Sequence, residues 1–430
     1  MTEELRVLIA TEHASARFGG EAALPLHYFR VMRKRGIPVW LVTHARTRDE
    51  LSALYPDDAR IFYIEDSVFN RAMWRAGHVL PDAISYFTTG FLSRLSTQIS
   101  QRRLIKRLVR EQGITVVHQP MPVSPREPSV LFGFGVPVII GPMNGGMDYP
   151  PAFRRNRGGI ERMLLRLGRA SSTLLNQWMP GKRHADVLLV ANARTRAALP
   201  GGVCTNVAEV VENGVDLSLW HTPVDRPCAS EQTVAIFAFM GRLVDWKAVD
   251  LLLHAFAQAR AGAPMRLWIL GDGIERARLE ALAVELGIVG PAADTVGTVH
   301  FAGWLPQAAC AVRLREADCL MLPSLLECGG AVVLEAMSMG KPVIATAWGG
   351  PLDYLDANCG ILVPPSGREA LIAGLAAAMT QLAASPQERR AMGLRGREKV
   401  VRDFDWEVKA DRMLDLYEAA RVRSAAIVRE

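Results

Sequence analysis

Short apolar runs bounded by glycine, proline or polar residues recur along the chain, and most are followed by a longer stretch with helical spacing. Residues 5–11 read as a buried strand, the loop 12–20 follows, and a helix over 22–35 leads to a second strand at 39–43. Strands alternating with helices build parallel sheets, because a parallel pair needs a long crossover. The same pattern predicts strands at 115–118, 136–140, 187–191 and 207–211. After an Asn/Gly/Pro-containing connection at 212–226, a second series follows at 234–239, 266–270, 299–302, 319–322 and 342–345. A helix over 94–111 should bury Leu104, Ile105, Leu108 and Val109 and turn Arg102, Arg103, Lys106, Arg107 and Arg110 to the other side. Over 154–183, Ile160, Met163, Leu164, Leu167, Leu174 and Trp178 share one helical face, read as packed on the core with a membrane-surface helix as the alternative, opposite Arg162, Arg166 and Arg169. A last helix is expected over 405–423, with Asp405 as its N-cap.

Two Rossmann-like halves in 430 residues suit a two-domain chain, and half-apolar composition supplies a core for each. The net charge of +6 divides unevenly, at +10 for residues 1–215 and −4 for 216–430. The basic half suits an anionic membrane surface or a phosphorylated acceptor, and we expect no nucleic acid. Six cysteines without a C-x-x-C pair or a His spacing suited to zinc read as reduced thiols, and no metal site is expected. The first residues lack the pattern of a secretory signal, and no apolar run is long enough to span a membrane, so a cytoplasmic protein is expected.

The densest chemistry lies in residues 318–352. A strand over 319–322 leads past Glu327 to Gly329-Gly330, a helix over 331–339 carries Glu335, and a further strand follows. Glycines at a helix N-terminus let backbone N–H groups meet an anion. Two carboxylates around them can accept hydrogen bonds from sugar and ribose hydroxyls. The motif has company in Gly241-Arg242-Leu243 with Lys247, Asn213-Gly214-Val215-Asp216, Gly271-Asp272-Gly273, Pro323-Ser324 and Gly349-Gly350. E-x7-E spacing alone is commonly two solvated acids around a helix; this ordered set is more specific.

Together these residues resemble the E-x7-E retaining glycosyltransferases (glycosyltransferase family 4, group 1 type) of the GT-B group, strongly over 205–365 and loosely before that. The chain departs from the family pattern at Cys328-Gly329-Gly330, where Pro, an apolar residue and Gly are usual, and at Ala248, where Gly is common. The resemblance implies an α/β GT-B fold of two Rossmann-like domains facing a central cleft. Residues 1–212 would form the acceptor-side domain, 213–404 the nucleotide-sugar domain, and 405–430 would pack back on the first.

By the same resemblance, Arg242 and Lys247 stabilise the leaving diphosphate, Glu327 holds the transferred sugar, Glu335 the ribose, and Gly329 and Gly330 approach the donor. Gly19 and Gly20 would line the donor side, with a plain turn as the alternative. His118 would face the reacting sugar, with a structural histidine at a strand end as the alternative. Asn144 and Gly145 lie in a loop read as acceptor-side. The implied reaction moves a sugar from a UDP- or GDP-linked donor to a hydroxyl acceptor, with no cofactor. A lipid-linked acceptor in envelope or exopolysaccharide synthesis would draw the enzyme to the inner membrane surface. The competing classes are a non-catalytic sugar-binding protein on the same fold and a nicotinamide-dependent oxidoreductase. Against the latter, neither half carries a complete G-x-G-x-x-G fingerprint.

Overall fold

The computed structural model describes residues 4–80, 85–154, 171–221, 234–292 and 294–427. The chain divides into two compact units, one of residues 1–146, 158–212 and 409–430 and one of 147–157 and 213–408.

The first unit is built on a seven-stranded sheet in the order β3-β2-β1-β4-β5-β6-β7, every pair parallel. Its strands are β1 (Val7–Ala10), β2 (Val39–His44), β3 (Ile61–Ile64), β4 (Val116–Gln119), β5 (Val138–Met143), β6 (Val187–Val190) and β7 (Val207–Glu209). β1, β2, β4, β5 and β6 are buried at every residue, as expected of a parallel sheet covered on both faces. One crossover, the helix Phe91–Glu111, buries Ile105 and Leu108 and exposes Arg103, Lys106, Arg107 and Arg110. Arg102 departs from that face. Its guanidinium lies 4.1 Å from the centre of the Phe132 ring and Nε donates to the Phe132 carbonyl, so it covers apolar surface of its own unit.

The basic segment 154–183 falls largely on 155–170, outside the described residues. At its described end the expectation of core packing fails, because Leu174 and Trp178 are 55% and 80% exposed. The final helix, Trp406–Ile427, joins the first unit from residue 409 onward. There Arg35 pairs with Asp411 at 2.5 Å, and Tyr417 is fully buried.

The second unit holds a six-stranded parallel sheet in the order β10-β9-β8-β11-β12-β13. Its strands are β8 (Ala235–Met240), β9 (Met265–Leu270), β10 (Val299–Gly303), β11 (Cys319–Leu322), β12 (Val343–Thr346) and β13 (Gly360–Val363). Phe237, Phe239, Leu267, Ile269 and Met321 form its core with Leu252, Leu253 and Phe256 of the helix Val249–Ala259 and Leu371 and Leu375 of the helix Arg368–Ala384. Residues 147–157, within the span assigned from sequence to the first domain, cluster here instead. Trp348 donates its indole N–H to the Asp148 carbonyl at 2.8 Å, and Tyr149 and Phe153 pack on this core. No helix among the described residues is long and apolar enough to cross a membrane.

Beyond the carboxyl ends of β8 and β9 the chain closes backbone on backbone. A Cβ on Gly271, whose φ is +147°, would stand 1.9 Å from the Gly241 carbonyl oxygen. No side chain can yield there, since the obstacle is main chain. Gly271→Ala is therefore expected to destabilise the protein by at least about 2 kcal/mol. Gly20→Ala, which meets nothing within 4 Å, should be near neutral by comparison. Urea denaturation of the two variants checks the contrast.

Candidate functional site

In the second sheet the chain order reverses at β8: β9 pairs with one side and β11 with the other. Connections leaving the carboxyl ends of those strands depart to opposite faces and open a crevice where doubly wound sheets bind ligands. The loops after β8 and β11 carry Arg242, Lys247, Glu327, Gly329 and Gly330, so the topology collects at one place residues that are eighty and more positions apart.

The loop after β8 is anchored by buried Leu243 and Val244 and tightens into a single 3-10 turn, Asp245–Lys247. Ala248 then takes the left-handed conformation, φ +51°, at the cap of the following helix. This is a position where glycine costs nothing and alanine is strained, which explains the preference for glycine in the resembling family. Lys247 Nζ donates to Glu327 Oε2, an ion pair whose side chains retain only 17% and 13% exposure. Leu325 N–H donates to the Trp246 carbonyl at 2.8 Å and ties the two loops together. Arg242 is exposed, and no described residue partners its guanidinium.

Gly330, also left-handed at φ +85°, caps the helix Ala331–Ser338, whose first turn holds no acid. Val333 N–H turns back to the Gly330 carbonyl at 2.9 Å, while the N–H groups of Ala331 and Val332 lack intrahelical partners and offer an anion-binding end. The loop's shape is set from beneath. Gly350 N–H donates to the Glu327 carbonyl at 2.7 Å, and a Cβ on Gly350 would lie 2.0 Å from the Gly329 oxygen. Glu335 sits on this helix with no described side-chain partner. Some of the residue's surface remains accessible, but surrounding protein displaces most water from the carboxyl group, and burial pushes it up to about 8. Such a group is ready to hydrogen-bond an incoming hydroxyl. Trp304, just past β10, is 73% exposed and so does not serve core packing.

In the first unit the site expectations fare differently. His118 is turned into the fold, away from solvent. It is fully buried, its Nε2 pairs with the Gly141 carbonyl at 2.6 Å and its Nδ1 with the Tyr417 hydroxyl at 2.8 Å. With both ring nitrogens occupied and burial pushing the imidazole down to about 4, it is a neutral structural histidine. Asn144 is likewise committed to structure. It donates to Glu212 at 2.6 Å and accepts from Arg194 and Thr195, which also hold the backbone of Gly145. Gly20 is the first residue of the helix Gly20–Lys34, and Gly19 caps it at φ +100° with open space around it.

Sequence reasoning passed over what surrounds that cap. Buried Glu50 accepts from the Ser15 hydroxyl and the Ala16 N–H and so shapes the loop. Glu12 and His13 emerge at the end of β1, where burial raises the carboxyl and lowers the imidazole to about 4. Glu127 pairs with Arg94 at 2.6 Å. Lone acids scattered over a hundred residues carry no spacing signal.

Comparison with known proteins follows this division. The family model "Glycosyl transferases group 1" matches residues 225–399. The D-inositol 3-phosphate glycosyltransferase of Segniliparus rotundus is 36% identical over 226 residues, 49% of this chain and 47% of that protein. The lipopolysaccharide core biosynthesis glycosyltransferase LpsE of Rhizobium meliloti is 33% identical over 203 residues, 47% of this chain and 53% of that one. The chain thus spans about half the length of the curated relatives it matches. Among solved structures, Anabaena HepE in complex with UDP is similar at a TM-score of 0.66 and 14% identity, covering 96% of this chain and 100% of that one. The fold is GT-B.

The perturbed carboxyl has a signature in stability. Ionising Glu335 is harder in the fold than in the unfolded chain, so the folded state binds the extra proton between its ordinary value of 4.5 and about 8. Its contribution is full below the lower value and is lost as pH rises through the upper one. Glu335→Gln should therefore gain stability relative to the parent as pH is raised, and little difference should remain near pH 4. Denaturant midpoints across that range would show it; parallel curves would refute the assignment.

Proposed function

We propose, from the match of residues 225–399 to the group 1 glycosyl transferases, that the chain is a retaining hexosyltransferase using a uridine-diphosphate sugar. The acceptor is a hydroxyl of a lipid-linked glycan at the cytoplasmic face of a membrane. The observation that carries this reading is the assembly at the β8/β11 reversal of exposed Arg242, the Lys247–Glu327 ion pair, an acid-free helix N-terminus and, on Glu335, a carboxyl group with no hydrogen bond from any described residue. The UDP in the HepE complex and the lipopolysaccharide role in the name of LpsE support the donor and acceptor class respectively.

In the reaction the bond from the sugar's anomeric carbon to the diphosphate breaks, and the acceptor oxygen bonds the same face. The acceptor's proton passes to the leaving phosphate oxygen. Arg242, Lys247 and the N–H groups opening Ala331–Ser338 supply fixed positive charge where negative charge grows. Glu335 holds the ribose hydroxyls and Glu327 those of the transferred sugar. Before the donor arrives Lys247 and Glu327 hold one another, which keeps both oriented; the donor gives each a new partner without stranding either. Residues 1–212 with the final helix serve the acceptor, and His118 contributes rigidity there rather than chemistry.

Lys247→Ala and Arg242→Ala should each lower transfer by about 10²–10³-fold, the cost of one well-placed donor to the developing charge. Glu335→Ala should act mainly by raising donor KM, since it removes contacts made before and during reaction alike. Release of UDP from UDP-sugar, followed at donor concentrations well below saturation, measures all three. Unaltered rates in the Lys247 and Glu335 variants would remove the donor site from this crevice.

A further inference from the structure

Glu327 is held at two points. Lys247 takes its carboxylate, and its carbonyl oxygen accepts from Gly350 N–H at 2.7 Å. Gly349 closes the same contact from beside it: it is left-handed at φ +73°, and a Cβ there would stand 2.3 Å from the Glu327 carbonyl oxygen. Where Gly349 and Gly350 sit, the main chain of Glu327 follows. Glycines have no side chain to anchor themselves, so their own place is set by neighbours.

On the strand side that neighbour is main chain. Ala347 N–H donates to the Val363 carbonyl at 2.8 Å, and Trp348 N–H turns back to the Thr346 carbonyl at 2.7 Å. On the other side it is a side chain: the indole N–H of half-buried Trp348 reaches the Asp148 carbonyl at 2.8 Å, across 200 positions of sequence. Met147 lies alongside, its terminal methyl 2.5 Å and its sulfur 3.0 Å from where a Cβ on Gly349 would be. Residues 147–153 are themselves fastened. Tyr149 and Phe153 pack on the core of the second unit, and Asp148 accepts from Tyr149 N–H at 2.9 Å and pairs with Arg154 at 3.5 Å. They form a strap against the loop 347–350, inside the second unit yet outside the residues 225–399 that the family model matches.

We propose that Trp348 is a positioning residue for the sugar end of the donor: its bond to the strap fixes Gly349 and Gly350, and these fix Glu327. The inference deepens the reading above and rests on it for the role of Glu327. The loop of Arg242 and Lys247 is placed by other contacts, among them buried Leu243 and the Leu325 bond to the Trp246 carbonyl. Loss of the strap's hold therefore acts on recognition of the sugar and spares recognition of the diphosphate. Misplacing a group by about 1 Å costs on the order of 10²-fold in rate, and the glycine contacts leave Glu327 less room than that.

The test measures two quantities on the full chain. One is affinity for UDP by titration calorimetry; the other is kcat/KM for release of UDP from UDP-glucose, UDP-galactose or UDP-N-acetylglucosamine, whichever the parent turns over fastest. Trp348→Phe keeps a ring and removes the N–H. It should leave UDP affinity within about twofold of the parent and lower kcat/KM about tenfold. Met147→Ala, which takes the thioether from the other side of the same contact, should show the same split to a smaller degree. In a Glu327→Gln background, Trp348→Phe should cost less than about twofold further, because it acts through that residue. UDP affinity and kcat/KM falling together in both variants, a full further loss in the Glu327→Gln background, or no loss in either variant overturns the proposal. A parent chain that neither binds UDP nor releases it from any of these sugars sinks the proposed function and this inference with it. A parent that does both, with the split absent from the variants, sinks the inference alone.

Discussion

The second unit depends on how closely main chain can approach main chain beyond the carboxyl ends of its strands. Gly271 lies against the Gly241 carbonyl, Gly273 against the Leu243 carbonyl, and Gly350 against the Gly329 carbonyl. Each contact removes the width of a side chain from between two loops. The ladder continues through them, with Leu243 N–H on Asp272 at 2.9 Å and Gly241 N–H on Leu270 at 3.0 Å. Rigidity of this kind is what electrostatic stabilisation requires, because charges that must reorganise during a reaction give back much of what they contribute.

On that frame the charges are balanced before any ligand arrives. Lys247 and Glu327 satisfy one another in a largely enclosed place, where removing one partner would leave the other buried and uncompensated. Glu335, by contrast, has no cation beside it, and desolvation alone sets its state. The two acids of the E-x7-E motif thus occupy opposite electrostatic environments, one neutralised by pairing and one by protonation. Neither leaves a bare negative charge to repel an incoming diphosphate at neutral pH, which answers an objection that the acid-rich spacing invites.

Much of the architecture was legible because buried parallel strands read as continuous apolar runs. The run at 319–322 was placed to the residue, and Ala331–Ser338 to within one position. β3 and β13 were missed, since each is four residues long, lies at a sheet edge, and buries only its two end positions, leaving little pattern to detect. Arg242, Lys247, Glu327, Gly329 and Gly330 came from order and spacing, which survive translation into space because all five lie on loops of one sheet. His118 misled because a strand-end histidine and a buried histidine share the same local sequence. What distinguishes them is Tyr417, 299 residues away. The same holds for Asn144, whose partner Glu212 lies 68 positions on.

The last helix has a consequence for how the protein comes into being. Tyr417 caps the His118 ring, and Lys409, buried with its amine held by the Val211 carbonyl, closes the end of the first unit. A ribosome delivers the first 212 residues long before either side chain exists. The second unit needs nothing beyond residue 408, its stretch 147–157 having emerged earlier, but the first waits with His118 uncapped until residues 409–417 have followed the whole of 213–408. Domains that fold as units in order of synthesis normally finish from the front. Here the half that emerges first is the half that finishes last, so its unfinished sheet depends on speed of elongation and on whatever shields nascent chains.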